Sequence, residues 1–147
     1  MTVSEAELKA LVGHTFPGGR YRIVHWENFL LTEATGCGPM PDDLAHPAHL
    51  FHVPISGAGT SIAQLFELGR AESDASITID YYDWEYFQPL REDREYRVRG
   101  GITEYERTRP GGGPIVDALS FLFELSDPDG ERAARVTFRW YYWRWNP

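Results

Sequence analysis

Apolar and polar positions along this chain fall into two regimes. Over the second half, long runs alternate. Ser76 to Tyr86 has Ile77, Ile79 and Tyr81 on one side, and Glu95 to Glu106, Ile115 to Leu125 and Arg132 to Arg144 are three further runs. A period of two marks a half-buried strand. In the last run Val136, Phe138, Trp140 and Tyr142 share one face, and Arg135, Thr137 and Arg139 the other. Pro110 to Pro114 and Asp127-Pro128-Asp129-Gly130 supply the turns between strands.

The first half reads differently. Glu5 to Val12 predicts a short helix, Arg20 to His25 a strand and Glu27 to Thr35 a second short helix. Gly36 to Pro54 is rich in Gly, Pro, Asp and His, which is loop chemistry, and loops of this length usually carry function. From Gly57 to Gly69 the period lengthens. Ile62, Leu65, Phe66 and Gly69 follow helical spacing, Thr60 or Ser61 can cap the start, and Gly69 can end it. One central helix followed by long antiparallel strands predicts an α+β fold, a sheet wrapped on a helix. With no repeat and no linker, one domain over residues 1–147 is expected.

Charge narrows the partners. A net charge of −8 repels phosphate backbones and argues against nucleic-acid binding. Lys9 is the one lysine among 14 basic residues, and arginine forks suit a local phosphate contact. No apolar run reaches 18 residues, so no membrane span is expected, and Met1 to Leu11 lacks the apolar core of a secretory signal. The one cysteine, Cys37, fits a reducing cytoplasm. His46, His49 and His52 recur every three residues, but in a proline-containing loop without a carboxylate or cysteine at metal-ligand spacing. Neither metal nor cofactor is expected there. Trp140 to Trp145 is expected to face the core on one side and a subunit interface on the other.

The stretch Trp84-Glu85-Tyr86-Phe87-Gln88-Pro89-Leu90-Arg91-Glu92-Asp93 resembles the F-x-x-P-x-x-x-G-D segment of MaoC-like hot-dog hydratases and dehydratases, with Glu92 in place of the glycine. The order of overhang, central helix and long strands matches the hot-dog fold along nearly the whole chain, closest to the substrate-binding type of half. The resemblance implies reversible dehydration of a 3-hydroxyacyl thioester, carried on coenzyme A or an acyl carrier protein. It implies no cofactor, and a homodimer or a heterodimer with another hot-dog chain. The family's A-T-G-D-x-N-P-x-H dyad is not matched: Cys37 follows Ala34-Thr35-Gly36 where the aspartate belongs, Asp42 lies near the histidine position, and Ser56-Gly57 replaces His-Gly.

A second dehydratase pattern, H-F-P with a glutamate on the following helix, is similar to His52-Val53-Pro54 and Glu67. This likeness implies His52 and Glu67 as the catalytic pair, contributed from opposite subunits. Substrate contacts are expected at Ser56, Gly57, Ala58, Gly59 and His49, with the helix head donating to the thioester carbonyl and its glycines admitting the ligand. Two alternatives stand beside this. One is a non-catalytic subunit shaping the acyl site of a heterodimer, and the other an acyl thioesterase on the same fold.

Overall fold

The computed structural model describes residues 3–146. Five antiparallel strands form one sheet in the order β1-β3-β4-β5-β2: β1 Gly19–Arg22, β2 Ile77–Tyr86, β3 Glu95–Thr108, β4 Ile115–Ser126 and β5 Arg132–Arg144. Among the described residues four short α-helices accompany them: α1 Glu5–Lys9, α2 His25–Ala34, α3 Val53–Gly57 and α4 Ile62–Leu68. The α+β architecture is the one expected, and the four long strands lie within two residues of their predicted bounds. No helix among the described residues is long and apolar enough to cross a membrane.

The core is an aromatic ladder. Phe121 of β4 pairs with Phe138 of β5, Leu119 with Trp140 and Phe123 with Val136, all of them buried. The rings of Phe121 and Phe138 stack at 4.9 Å, and Tyr82 stacks on Phe138 at 4.7 Å. Offset stacking of this kind adds to the gain from burial itself.

Two expectations need correction. The alternation of β2 is interrupted by a register shift between Ile79 and Tyr81. Tyr82, rather than Tyr81, therefore faces Phe138, while Ile79 and Tyr81 are left exposed. An extra residue in one strand moves every later side chain to the other face.

The central helix is also not one helix from Gly57 to Gly69. Ser61 caps α4 by accepting from the Gln64 amide at 3.2 Å, and Gly69 ends it, as predicted. The residues before Ser61 belong to a separate helix, α3, of which Gly57 is the last residue. Pro54 starts α3 well because its missing N–H would be unpaired there anyway.

Gly57 is glycine for packing. A Cβ at this position would lie 2.6 Å from Val98 Cγ2 and 3.2 Å from Tyr21 Cβ, so α3 can approach β1 and β3 only without a side chain. Gly57→Val is therefore expected to destabilise the fold by about 1–3 kcal/mol through overpacking, rather than to act as a selective plug in a ligand channel. Urea denaturation of the variant checks this, and an unchanged midpoint would refute it.

Candidate functional site

The site forms where α2, the segment 44–52 and the start of β3 meet. A 3₁₀ turn, Pro47–Phe51, lies inside the predicted loop and leads directly into α3. His46 caps this turn: its Nδ1 accepts from the Ala48 amide at 3.0 Å, and Pro47 fills the first helical position. The turn brings His49, in its middle, and His52, the residue that follows it, toward α2.

Asn28 of α2 organises the site from beneath. Its Nδ2 donates to the Leu44 carbonyl at 2.9 Å and to Glu92 Oε1 at 2.7 Å. Its Oδ1 accepts from the His46 amide at 2.9 Å and meets His49 Nε2 at 3.1 Å. The Leu44 and Glu92 oxygens can only accept and the His46 N–H can only donate, so the amide has one allowed orientation. His49 Nε2 must then carry the proton. His49 is a neutral ring whose lone pair sits on Nδ1, and that atom is buried with no hydrogen-bond partner among the described residues. Burial, together with the neighbouring His52, pushes the His49 pKa down to about 4.

Glu27, next to Asn28 on α2, reaches the other histidine. His52 Nε2 lies 2.9 Å from Glu27 Oε1, and the Tyr21 hydroxyl donates to the same oxygen. Burial would raise the Glu27 carboxyl, but the bonds from Tyr21 and His52 outweigh it and hold its pKa below the usual value. Burial and the adjoining Glu27 charge push the Tyr21 phenol far up, so it stays a donor. The His49 and His52 rings are 5.3 Å apart. Glu92 extends the network to His25 Nδ1 at 3.0 Å.

Of the expected site residues, the structure brings His49 and His52 together, with Ser56 one turn beyond His52 on α3, and places Glu67 elsewhere. His52 is 38% exposed at the lip of the cluster, so it can meet a ligand. Glu67 is exposed on α4, beside a cavity of about 450 Å³ shared with His14, Phe16 and Gln64 but not with His52.

The helix head expected at Gly57 to Gly59 is a helix end. The amides of Ser56, Ala58, Gly59 and Thr60 already donate to the carbonyls of His52, Pro54, Ser56 and Ile55. Gly57 and Ala58 are buried, the Ala58 carbonyl accepts from the Gly18 amide at 2.9 Å, and only Ser56 and Gly59 reach the surface. Cys37 is exposed.

Glu27, Asn28 and Tyr21 were not singled out by sequence reasoning, and Glu92 was noted only as a departure from the family's glycine, because nothing local joins residues so far apart. One local signal was available for His49. Placed on Pro47, the N-P-x-H part of the MaoC-like motif falls on His46-Pro47-Ala48-His49, after an insertion that parts it from Gly36-Cys37.

No protein-family model matches this sequence, and no curated protein matches it. Solved structures do match. A complex of the (3R)-hydroxyacyl-ACP dehydratase HadBC from Mycobacterium tuberculosis superposes with a TM-score of 0.65 at 10% identity, over 89% of this chain and 96% of that one. The fold is the hot-dog fold. A MaoC-like dehydratase from Rhodospirillum rubrum gives 0.60 at 15% identity, covering 90% and 92% of the two chains. A hypothetical thioesterase with coenzyme A from Streptococcus pneumoniae gives 0.53 at 14%, covering 84% and 77%. The hot-dog sheet, its overhanging α2 and its broken inner helix thus set the frame in which the cluster sits.

The network carries a pH signature. With a native pKa near 4 against 6.5 when unfolded, His49 binds more protons in the unfolded chain between those values. Its contribution is complete above pH 6.5 and is lost as pH falls toward 4, by up to about 3 kcal/mol. Glu27 and Glu92, both lowered, add to the acid loss below about pH 4.5. His25, raised by its bond to Glu92, works in the opposite sense. Urea midpoints measured from pH 7.5 to 4 should fall, and His49→Gln should flatten the decline between 6.5 and 4.5. An equally steep decline in the variant would refute the assignment.

Proposed function

We propose that this protein binds acyl thioesters of coenzyme A or an acyl carrier protein and catalyses reversible hydration of the enoyl form. The observation that carries this reading is the bond from His52 to Glu27 at a partly open lip of the fold. Dehydration needs a base for the proton beside the thioester carbonyl and an acid for the departing hydroxyl. Glu27 is held ionised and accepts from His52 Nε2–H, which leaves the lone pair of His52 on Nδ1. A carboxylate that fixes the tautomer and steadies the imidazolium formed after proton uptake is a recurrent way to activate a histidine. Tyr21 positions Glu27 from the other side.

His52 then takes the proton next to the carbonyl and returns it to the leaving oxygen, or a second group supplies the acid. Glu67 fills that second role only if another copy presents it. Ser56, four residues beyond His52 on α3 and exposed, contacts the substrate beside His52. For the acyl chain there is an apolar cavity of about 400 Å³ that reaches the 3₁₀ turn at Pro47 and is lined also by Met40, Leu44, Phe87 and Leu90. That volume lies within the range of small-molecule sites.

A second reading is favoured by Cys37, which stands where the MaoC-like motif has its aspartate. In this reading the chain shapes the acyl site of a heterodimer whose other subunit is catalytic. Both readings require a partner along β2, whose free edge exposes Ile79, Tyr81, Trp84 and Tyr86. An apolar edge strand is a pairing surface. Light scattering at micromolar concentration is expected to report a dimer, or a monomer that dimerises when a second hot-dog chain is added. A monomer indifferent to such a chain would contradict the edge assignment.

Steady-state hydration of a crotonyl thioester by the isolated chain tests the catalytic reading. His52→Ala is expected to lower the rate by about 10² to 10⁴ with the fold intact. Glu27→Gln should produce a comparable loss, and Glu67→Gln should match it only if Glu67 acts from the second copy. No turnover by the isolated chain, with activity restored by a partner and indifferent to His52→Ala, would move the function to the heterodimer reading. Thiol release from the same substrate without hydration would identify a thioesterase instead.

A further inference from the structure

The expectation that no metal binds here rested on the lack of a carboxylate at ligand spacing from the histidines. The fold supplies one from 25 residues upstream of His52. One ligand atom each from Glu27, His49 and His52 lies within 4.8 Å of the others. We propose that these three side chains form a binding site for a divalent transition-metal cation of the zinc type.

The donor set argues for this class of ion. Two imidazole nitrogens and one carboxylate oxygen suit zinc, cobalt or nickel, whereas calcium and magnesium take oxygen cages. Three protein ligands leave a fourth position open, and the exposure of His52 provides the way in. Zinc–ligand bonds of about 2.0–2.2 Å place tetrahedral ligands roughly 3.4 Å apart, so closure from the present spacing needs a movement of about an ångström. His52 can make it, because its ring is half free.

The strongest observation is His49. Its Nδ1 lone pair is wholly buried and meets no donor, a state that costs about 1–3 kcal/mol and calls for an occupant. Asn28 holds the ring through Nε2–H, which is how a metal-bound histidine is oriented by its surroundings. Tyr21 does the same for Glu27. A metal held between His52 and Glu27 must displace the proton of the bond that joins them. Metal in the site and proton transfer through His52 therefore exclude one another. That consequence rests on the reading of His52 given above; the binding does not.

The test uses the purified chain after chelator treatment. Titration with Co²⁺ is expected to give visible absorption of a low-coordinate site, saturating at one ion per chain at micromolar metal, and Zn²⁺ should displace it. Glu27→Gln and His52→Ala should each abolish the signal, while folding is followed by circular dichroism. Should a variant unfold, long-range ¹H–¹⁵N spectra of the wild-type protein with Zn²⁺ decide the matter. Shifts at His49 Nδ1 and a His52 ring nitrogen support the site. No stoichiometric uptake, uptake unchanged in both variants, or shifts confined to His25 and His46 would overturn it. These readouts need no turnover, so they stand whether or not the hydratase reading does. If both stand, Zn²⁺ should abolish hydration and chelator should restore it.

Discussion

A carboxylate with no solvent exposure holds one end of this molecule together. Asp117 of β4 accepts from Tyr105 and Arg107 of β3 and from Arg144 of β5, all at 2.7–3.0 Å. Arg144 also donates to the carbonyls of Gly69 and Arg70, which follow α4, and Arg107 reaches the Val3 carbonyl. Removing a charge from water costs several kcal/mol, so such a group persists only when every lone pair is engaged. The bonds from Arg107, Arg144 and Tyr105 do this together and pull the Asp117 carboxyl below its ordinary range against the effect of burial. One acidic side chain thereby ties three strands, the N-terminal segment and the end of the inner helix.

The candidate site occupies the opposite end of β3. Arg107 pairs with Asp117 near one end of that strand, and Tyr96 pairs with Tyr21 near the other. One polar network is closed and fully satisfied, and the other is left one donor short at His49 Nδ1. Partly satisfied buried networks are costly, and natural proteins keep them where a ligand completes them. The two ends differ in this respect: all four lone pairs of the Asp117 carboxylate are engaged, whereas the Glu27–His49–His52 cluster keeps one buried nitrogen without a partner among the described residues.

The two ends are coupled through packing. α3 lies on β1, β3 and β4 because Gly57 lets it, and α4 lies on β5 because Gly69 faces the Tyr142 ring, where a Cβ would fall 2.1 Å from an aromatic carbon. Tyr142 also donates to the Leu65 carbonyl at 2.8 Å. His52 stands at the entry to α3 and Tyr21 in β1, so their geometry is inherited from this close approach. A dyad built on packed elements is held more tightly than one carried on loops alone.

The sequence by itself determined the four long strands, the turns between them and the end of α4, because those depend on local alternation, turn residues and caps. The terminating glycine at 69 was legible for that reason, the cap was narrowed to Thr60 or Ser61, and the resemblance in residues 84–93 pointed to the hot-dog frame. His49 and His52 were legible as candidates. The tertiary structure alone decided the break between α3 and α4, the shift in β2 that turns Tyr82 inward, and the partners of both histidines. Glu27 lies 25 residues from His52, and Asn28 lies 64 from Glu92. Hydrogen bonds over such separations leave no periodic trace in a sequence; they exist only because the sheet and the overhanging helix bring distant segments into one dry, crowded corner.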